Sequence, residues 1–560
     1  MDSGGVRSPQ AVAAAVSGFA VALASWLILY LRVWIPGLET SFKDARHYLA
    51  SAARWASTGR LELLELRLQP VAVVSEPLSS FPPVTSWALG SLVAAGASIE
   101  HAPTLLALAA WPLLLAAIAW LTHRLCRDPV LAALAVGIAA VTWPYLNVYT
   151  EVSSEILFLP LVVLATAIFT GLPEREGSVR GPLLLGAAAT TLVLLSRYTG
   201  MFFYAALLTW WVWHRIRRDR IRRLVPELAI LAVPGSIFLV WIARNAALTG
   251  HLFGPTLMAE TLGVGYDHVV ETFLTQSTWL VLPAVRPGAV WRAYGVAGAL
   301  GVAAITAVGA ALLLGTLRRR PRLPSSPLVP FLVLYVGFLA VAPAFMRMQG
   351  MTERYMAVVL ALAQPFLIAR LVRAPKRWAR GFLAAFLGLQ VGLALAFTAA
   401  TAGLGAWVEP GPLRATDLAG RTDDQMRQLL AGAPAWWVHR PPRLHDLERH
   451  LPELHRVVDR LDPETPIVSN APELFSWRPL LPVSGAVELW LERGGCHPPV
   501  PVAAVVVDWD RWTAGGETAR DELPADRLRA LLEDRCPDAP RLRVPRATVL
   551  LLSPERRRPS

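Results

Sequence analysis

Asp44 lies in the stretch Ser41-Phe42-Lys43-Asp44-Ala45-Arg46-His47-Tyr48-Leu49, shortly after the first long apolar run of the chain. A carboxylate held at the water-facing edge of an apolar segment is placed to take a proton from an incoming hydroxyl. Other polar side chains stand at the ends of later apolar runs: Glu76, Glu151, Glu155, Arg197, Tyr198, Arg244, Asn245, Glu353, Arg354 and Tyr355. With Asp44, His47 and Tyr48 they are expected to collect on one membrane face. A carboxylate opposed by several guanidinium groups can hold an anionic phosphate while deprotonating a nucleophile.

Each of these residues also has a plainer reading. Asp44 suits an N-cap as well as a base, since Asp is a favoured cap. Arg197, in Leu195-Ser196-Arg197-Tyr198-Thr199-Gly200, and Arg354, in Thr352-Glu353-Arg354-Tyr355, could reach to lipid headgroups, the common fate of a terminal Arg. Both nonetheless fall on a side where orientation rules do not call for Arg, and Glu353 could simply pair with Arg354. Glu155, in Glu151-Val152-Ser153-Ser154-Glu155, reads most simply as the end of a capping box beginning at Val152 or Ser153. Arg244-Asn245, before Thr249-Gly250, fits a helix terminus and turn. His101, His123 and His214 lack metal-ligand spacing, and no metal or cofactor is expected. Of the cysteines Cys126, Cys496 and Cys536, the last two fall in the C-terminal region. A disulfide between them and a pair of free thiols are both compatible with the sequence.

The elements that must position these groups are mostly membrane helices. The 560 residues are 54% hydrophobic and 17% charged, with a mean hydropathy of +0.44, outside the range of soluble domains. Apolar runs at 11–33, 102–122, 129–146, 153–171, 181–196, 199–213, 224–243, 289–316, 327–345, 355–372 and 381–403 predict about eleven spans of roughly 20 residues. Most of the net charge of +12 is Arg in short loops between these runs. The clusters at Arg124 and Arg127, at Arg175 and Arg180, at Arg215–Arg223, at Arg318–Arg322 and at Arg373–Arg380 all fall on one side if the N-terminus is cytoplasmic and the C-terminus outside. A nucleic-acid binder would instead gather its charge on one soluble face. The run 81–98, opening Phe81-Pro82-Pro83 and containing Gly90 and Gly96, reads as a re-entrant or surface-lying helix. The first outside loop then spans 34–101. Within it, residues 44–58 have Tyr48, Leu49, Ala52 and Trp55 at helical spacing, an amphipathic helix for the membrane interface.

Beyond 404 the composition changes. Residues 405–445 read as a linker rich in Pro, Arg and Trp. Residues 446–560 alternate helical and β-branched stretches and predict a small α/β domain with a buried, parallel sheet. The expected fold class is therefore an α-helical polytopic membrane protein with a small C-terminal α/β extracytoplasmic domain. An N-terminal run continuing to Trp34 is too long for a cleaved signal peptide and is expected to be a retained span.

In this order and placement the motifs resemble the GT-C superfamily of integral-membrane glycosyltransferases, in the bacterial branch related to protein O-mannosyltransferases and the lipid A aminoarabinose transferase. The matching elements are Phe42-Lys43-Asp44-Ala45-Arg46-His47-Tyr48-Leu49, Phe81-Pro82-Pro83-Val84-Thr85-Ser86-Trp87, Ser153-Ser154-Glu155, Leu195–Gly200, Arg244-Asn245 with Gly250, Glu353-Arg354-Tyr355, and Val468-Ser469-Asn470-Ala471-Pro472. The resemblance implies an inverting transfer of sugar from a polyprenyl-phosphate donor to a glycan, lipid or protein acceptor at the outer face of the cytoplasmic membrane. Asp44 would be the general base, and Arg197 and Arg354 would hold the donor phosphate. His47, Tyr48, Glu76, Glu151, Glu155, Tyr198, Arg244, Asn245 and Tyr355 would line the cavity or meet the acceptor. Membrane lipids are the expected surroundings, no nucleic acid is expected, and no metal is required. The chain departs from the family pattern in having Lys43 and Ala45 around Asp44 instead of an adjacent acidic pair, and Phe81 where the aminoarabinose transferases carry Lys. A transporter or flippase of lipid-linked saccharides is the competing expectation, and it would require repeats or paired broken helices that the sequence does not show.

Overall fold

The computed structural model describes residues 9–33, 43–68, 71–99, 101–174, 178–218, 221–253, 325–341, 353–372, 454, 456–458, 460–461, 465, 467–469, 502–507, 525–544 and 547–552. Two compact units emerge: residues 1–38, 79–85 and 103–410 form the first, and residues 39–78, 86–102 and 411–560 the second. The spans expected at 289–316 and 381–403, the linker at 405–445 and the boundaries at 404 and 445 lie outside the described residues.

The described part of the first unit is helical. Its helices are α1 (Pro9–Val33), and, numbered past α2 and α3 of the second unit, α4 (Ala102–Cys126), α5 (Pro129–Val141), α6 (Trp143–Val148), α7 (Glu155–Phe169), α8 (Arg180–Ser196), α9 (Gly200–Arg217), α10 (Ile221–Thr249), α11 (Leu328–Val341) and α12 (Glu353–Val372). Every expected span within the described residues carries a helix. The run expected as one span at 129–146 is broken, because Thr142 leaves helical geometry (ψ 111°), ending α5 and serving as the N-cap of α6. Pro144 then falls in the first turn of α6, where its missing N–H costs no helical hydrogen bond. Three described helical stretches, Ala102–Cys126, Glu155–Glu174 and Leu224–Thr249, are long and apolar enough to cross a membrane. Pro112, Pro160, Pro226, Pro234 and Pro365 lie inside helices, as membrane helices packed among neighbours allow.

Polar side chains key these helices together where lipid offers no hydrophobic drive between them. The Trp26 indole donates to the Leu108 carbonyl at 2.9 Å and that of Trp111 to Ser25 Oγ at 3.1 Å, joining α1 to α4. Buried Gln364 on α12 accepts from Tyr145 at 2.9 Å and donates to Thr142 at 3.2 Å, which locks α12 to the α5–α6 break. Small residues bring backbones close: a methyl group at Gly186 of α8 would lie 2.5 Å from Phe169 of α7. Arg215, placed by the sequence in a solvated basic loop, is instead 1% exposed. It makes a two-pronged pair with Glu227 (2.7 and 2.5 Å), and Glu227 also accepts from Trp211 at 3.1 Å. These bonds join α9 to α10 and satisfy a charge that would be costly to bury alone.

The second unit opens with α2 (Lys43–Thr58), the amphipathic helix expected from the sequence. Tyr48, Leu49 and Ala52 on its apolar face are 1, 3 and 0% exposed, so this face is buried rather than lying open at an interface. A hairpin not foreseen from sequence follows: β1 (Glu62–Leu68) pairs antiparallel with β2 (Val71–Pro77), Leu68 opposite Val71. The re-entrant or surface helix expected at 81–98 is α3 (Val84–Ala94). It packs on α2 through a 2.6 Å Ser51–Ser86 hydrogen bond and the close approach of Gly90 to Trp55 and the Ala52 carbonyl.

Its C-terminal part holds β3 (Ile467–Ser469), β4 (Val502–Val507), α13 (Ala525–Arg535), β5 (Arg541–Val544) and β6 (Ala547–Leu552). The sheet order is β3-β4-β6-β5. Only β3 and β4 run parallel, while β6 is antiparallel to both its neighbours. The expected all-parallel sheet is therefore a mixed one. The short connection from β5 to β6 forces antiparallel pairing, since parallel neighbours need a long crossover. Cys536, buried just after α13, is disulfide-bonded. Cys496 lies outside the described residues, and Cys126 is not disulfide-bonded.

Candidate functional site

Glu155 begins α7 and is 1% exposed. A carboxylate there is favoured by the unsatisfied N–H groups of the first turn, but such a burial also needs counter-charge. Arg197 and Arg354 supply it. Arg197 occupies the extended residue that ends α8 (φ −156°, ψ 138°), and its guanidinium pairs directly with Glu155. Arg354, in the first turn of α12, approaches the same carboxylate oxygen at 3.7 Å. Ser154 joins the cluster, accepting from Arg197 at 3.2 Å and donating to Glu155 at 3.2 Å. The Tyr355 ring lies 5.1 Å from the Arg197 guanidinium carbon and 5.5 Å from that of Arg354, at cation–π range for both. Three separate helix ends thus converge on one carboxylate. Glu155 is no capping-box residue: it is the first residue of α7, and Ser154, at the cap, makes no side-chain cap bond. Nor does Arg197 reach outward to headgroups.

A second polar cluster occupies the same unit. Asn245, fully buried on α10, donates to Tyr198 Oη at 3.0 Å and to the Ser79 carbonyl at 3.3 Å. The Tyr198 hydroxyl donates to that carbonyl at 2.6 Å and accepts from Trp241 at 3.4 Å. Burial pushes the Tyr198 phenol up to about 12, so it remains a donor at physiological pH. Arg244 bonds Asn245 Oδ1 at 3.0 Å and lies over the Trp241 ring at 4.7 Å. Together these groups fasten the backbone at Ser79, where the chain enters Ser80-Phe81-Pro82-Pro83.

Glu151 is buried and accepts from Asn147 at 2.7 Å. The remaining sequence candidates belong to the second unit. Asp44 lies within the first turn of α2 and not at its cap, half-buried, with half-buried His47 and buried Tyr48 one turn on. Glu76 is half-buried on β2, opposite Leu63. The side chain of Glu353 lies outside the described residues. The structure thus brings Glu155, Arg197, Arg354 and Tyr355 together, and gathers Tyr198, Arg244 and Asn245 separately. Ser154 and Gln364 were missed by sequence reasoning. The signal for Gln364 was a lone amide inside an apolar helix, which is expensive unless paired.

Residues 80–243 match the family model described as dolichyl-phosphate-mannose-protein mannosyltransferase. No curated protein sequence matches the chain. Among solved structures, the chain is similar to ArnT from Cupriavidus metallidurans bound to undecaprenyl phosphate, at 13% identity and a TM-score of 0.52 over 98% of this chain and 99% of that one. The apo form of the same protein gives 15% identity and a TM-score of 0.51, covering 98% of this chain and all of the other. At these identities the likeness is one of fold.

Proposed function

We propose that this chain, whose fold is like that of ArnT and whose residues 80–243 match a mannosyltransferase family model, is a GT-C membrane glycosyltransferase that moves a sugar from a polyprenyl-phosphate donor to an acceptor hydroxyl or amine with inversion. The observation that carries the reading is the convergence of Arg197 and Arg354 on buried Glu155. Two guanidinium groups and one carboxylate leave one net positive charge, which a phosphodiester monoanion neutralises. Guanidinium groups are also suited to phosphate oxygens by their planar fork of donors. The relative bound to undecaprenyl phosphate supports a carrier of that chemical class.

In the proposed reaction the acceptor oxygen or nitrogen attacks the anomeric carbon opposite the phosphate. The bond from that carbon to the phosphate oxygen breaks, and its electron pair stays on the phosphate. Asp44 takes the acceptor proton. The phosphate passes from monoanionic diester towards dianionic monoester, so donors preorganised around it stabilise the transition state more than the ground state. The role of Asp44 rests on its position in the sequence and on the resemblance. The reading places the N-terminus in the cytoplasm and the C-terminal domain outside the cytoplasmic membrane, with no metal involved.

The test is release of radiolabelled sugar from polyprenyl-phosphate sugars by the purified protein in nanodiscs, with membrane extract as acceptor and EDTA present. Wild-type protein is expected to turn over donor, whereas Asp44→Asn binds undecaprenyl phosphate normally and transfers nothing. Full activity of Asp44→Asn removes it as the base. Donor binding without turnover across several sugars favours a transporter.

A further inference from the structure

We infer that the Tyr335 hydroxyl is a hydrogen-bond donor to the phosphate of the lipid-linked sugar, completing the site framed by Arg197 and Arg354; this rests on the glycosyltransferase reading above. Tyr335 sits in the middle of α11 and is fully buried. Its ring packs 5.4 Å from Phe331, which in turn meets Phe203 of α9 edge-on at 5.4 Å. The aromatic body is thereby held in place. The hydroxyl, however, has no hydrogen-bond partner among the described residues. It lies near enough to Arg197, Glu155, Tyr355 and Arg354 for their charges to act on it.

A buried phenol hydroxyl left unpaired costs stability, and phenylalanine would fill the same volume without that cost. The hydroxyl therefore contributes nothing to packing, and it lies within electrostatic range of two cations already suited to an oxyanion. Ser153 Oγ and Thr199 Oγ1, next to Ser154 and two residues past Arg197, are likewise buried without a hydrogen-bond partner among the described residues. The ion-paired trio is thus accompanied by hydroxyls whose hydrogen bonds no described residue completes. A neutral donor has a particular use here. It stabilises charge growing on the leaving phosphate without disturbing the balance between Glu155 and the two arginines. Tyr335 is the one of these hydroxyls carried on a rigid, aromatic-packed ring, which holds the donor in one position.

The experiment compares wild type with Tyr335→Phe in nanodiscs. Melting of the ligand-free proteins is expected to show Tyr335→Phe as stable as wild type or more so. A lowered midpoint means that the hydroxyl is already bonded within the protein, and overturns the inference. Binding is then measured with undecaprenyl phosphate and with undecaprenol, which lacks the phosphate. Affinity for undecaprenyl phosphate is expected to fall by about tenfold, as for loss of a hydrogen bond to a charged group, with undecaprenol unaffected. Equal undecaprenyl phosphate affinity in both proteins overturns the assignment of Tyr335 alone. An equal loss for both lipids does the same, since it reports packing. Failure of the wild type to prefer undecaprenyl phosphate over undecaprenol overturns the glycosyltransferase reading and this inference with it.

Discussion

Glu155 is 1% exposed and bears the charge on which Arg197 and Arg354 both converge. Its replacement by Gln leaves two nearly buried guanidinium groups without a counter-ion, a change that costs about 3 kcal/mol or more in comparable buried pairs. Glu155→Gln is expected to melt well below wild type in detergent. Undecaprenyl phosphate is expected to raise its midpoint by more than it raises that of wild type, because the bound anion replaces the missing carboxylate. Equal shifts in the two proteins would argue against phosphate binding at this trio. Arg197→Ala and Arg354→Ala are each expected to weaken undecaprenyl phosphate binding by tenfold or more, the scale of a lost charge-assisted hydrogen bond. Unchanged affinity in either variant would remove that arginine from the phosphate role. These residues were legible individually as charges at the ends of apolar runs. Their pairing was not, because Glu155 and Arg354 are far apart in sequence and only the packing of α7, α8 and α12 brings them together.

Asp44 depends on α2, and α2 in turn depends on its seat against α3. A methyl group at Gly90 would stand 2.8 Å from the Ala52 carbonyl oxygen and 2.6 Å from Trp55 Cδ1. The first of these neighbours is backbone and cannot swing aside, so the helices must separate. Gly90→Ala is expected to cost about 1–3 kcal/mol, as overpacking does, and to lower transfer by roughly tenfold or more through displacement of Asp44, the proposed base. Gly137→Ala on α5 meets nothing within 4 Å and serves as the control. It is expected to leave transfer unchanged and to stabilise slightly, given the better helix propensity of Ala. Equal transfer by wild type and Gly90→Ala would show that the seat of α2 does not govern Asp44. The sequence revealed α2 by its periodicity. It did not reveal the β1–β2 hairpin, whose stretch Glu62-Leu63-Leu64-Glu65-Leu66 breaks strict alternation.

Orientation belongs to the whole molecule. The alternating Arg clusters predict a cytoplasmic N-terminus, which places α2 outside and the α9–α10 connection inside. With Cys126 replaced by Ser, a cysteine at exposed Ser57 is expected to react with a membrane-impermeant maleimide in intact cells. One at exposed Arg218 is expected to react only after permeabilisation. The reverse pattern would invert the topology and move the Asp44 chemistry to the cytoplasmic face. The basic clusters were read as free loop charge, yet Arg215 is consumed in a buried pair with Glu227 and Arg124 donates to the Thr170 carbonyl at 2.5 Å. Orientation signals and helix-locking bonds therefore draw on the same arginines.

By itself the sequence determined that the chain is a membrane protein built of apolar helices, where the described ones lie, and that it resembles the GT-C superfamily. Those properties follow from hydropathy, periodicity and motif order, all of which are local or sequential. Only the tertiary structure decided that Glu155 is the shared counter-ion of Arg197 and Arg354, that Tyr198 and Asn245 meet on the Ser79 carbonyl, and that the C-terminal sheet is mixed. The physical reason is that burial of charge and strand direction are settled by which distant segments pack together, and hydropathy is blind to pairing.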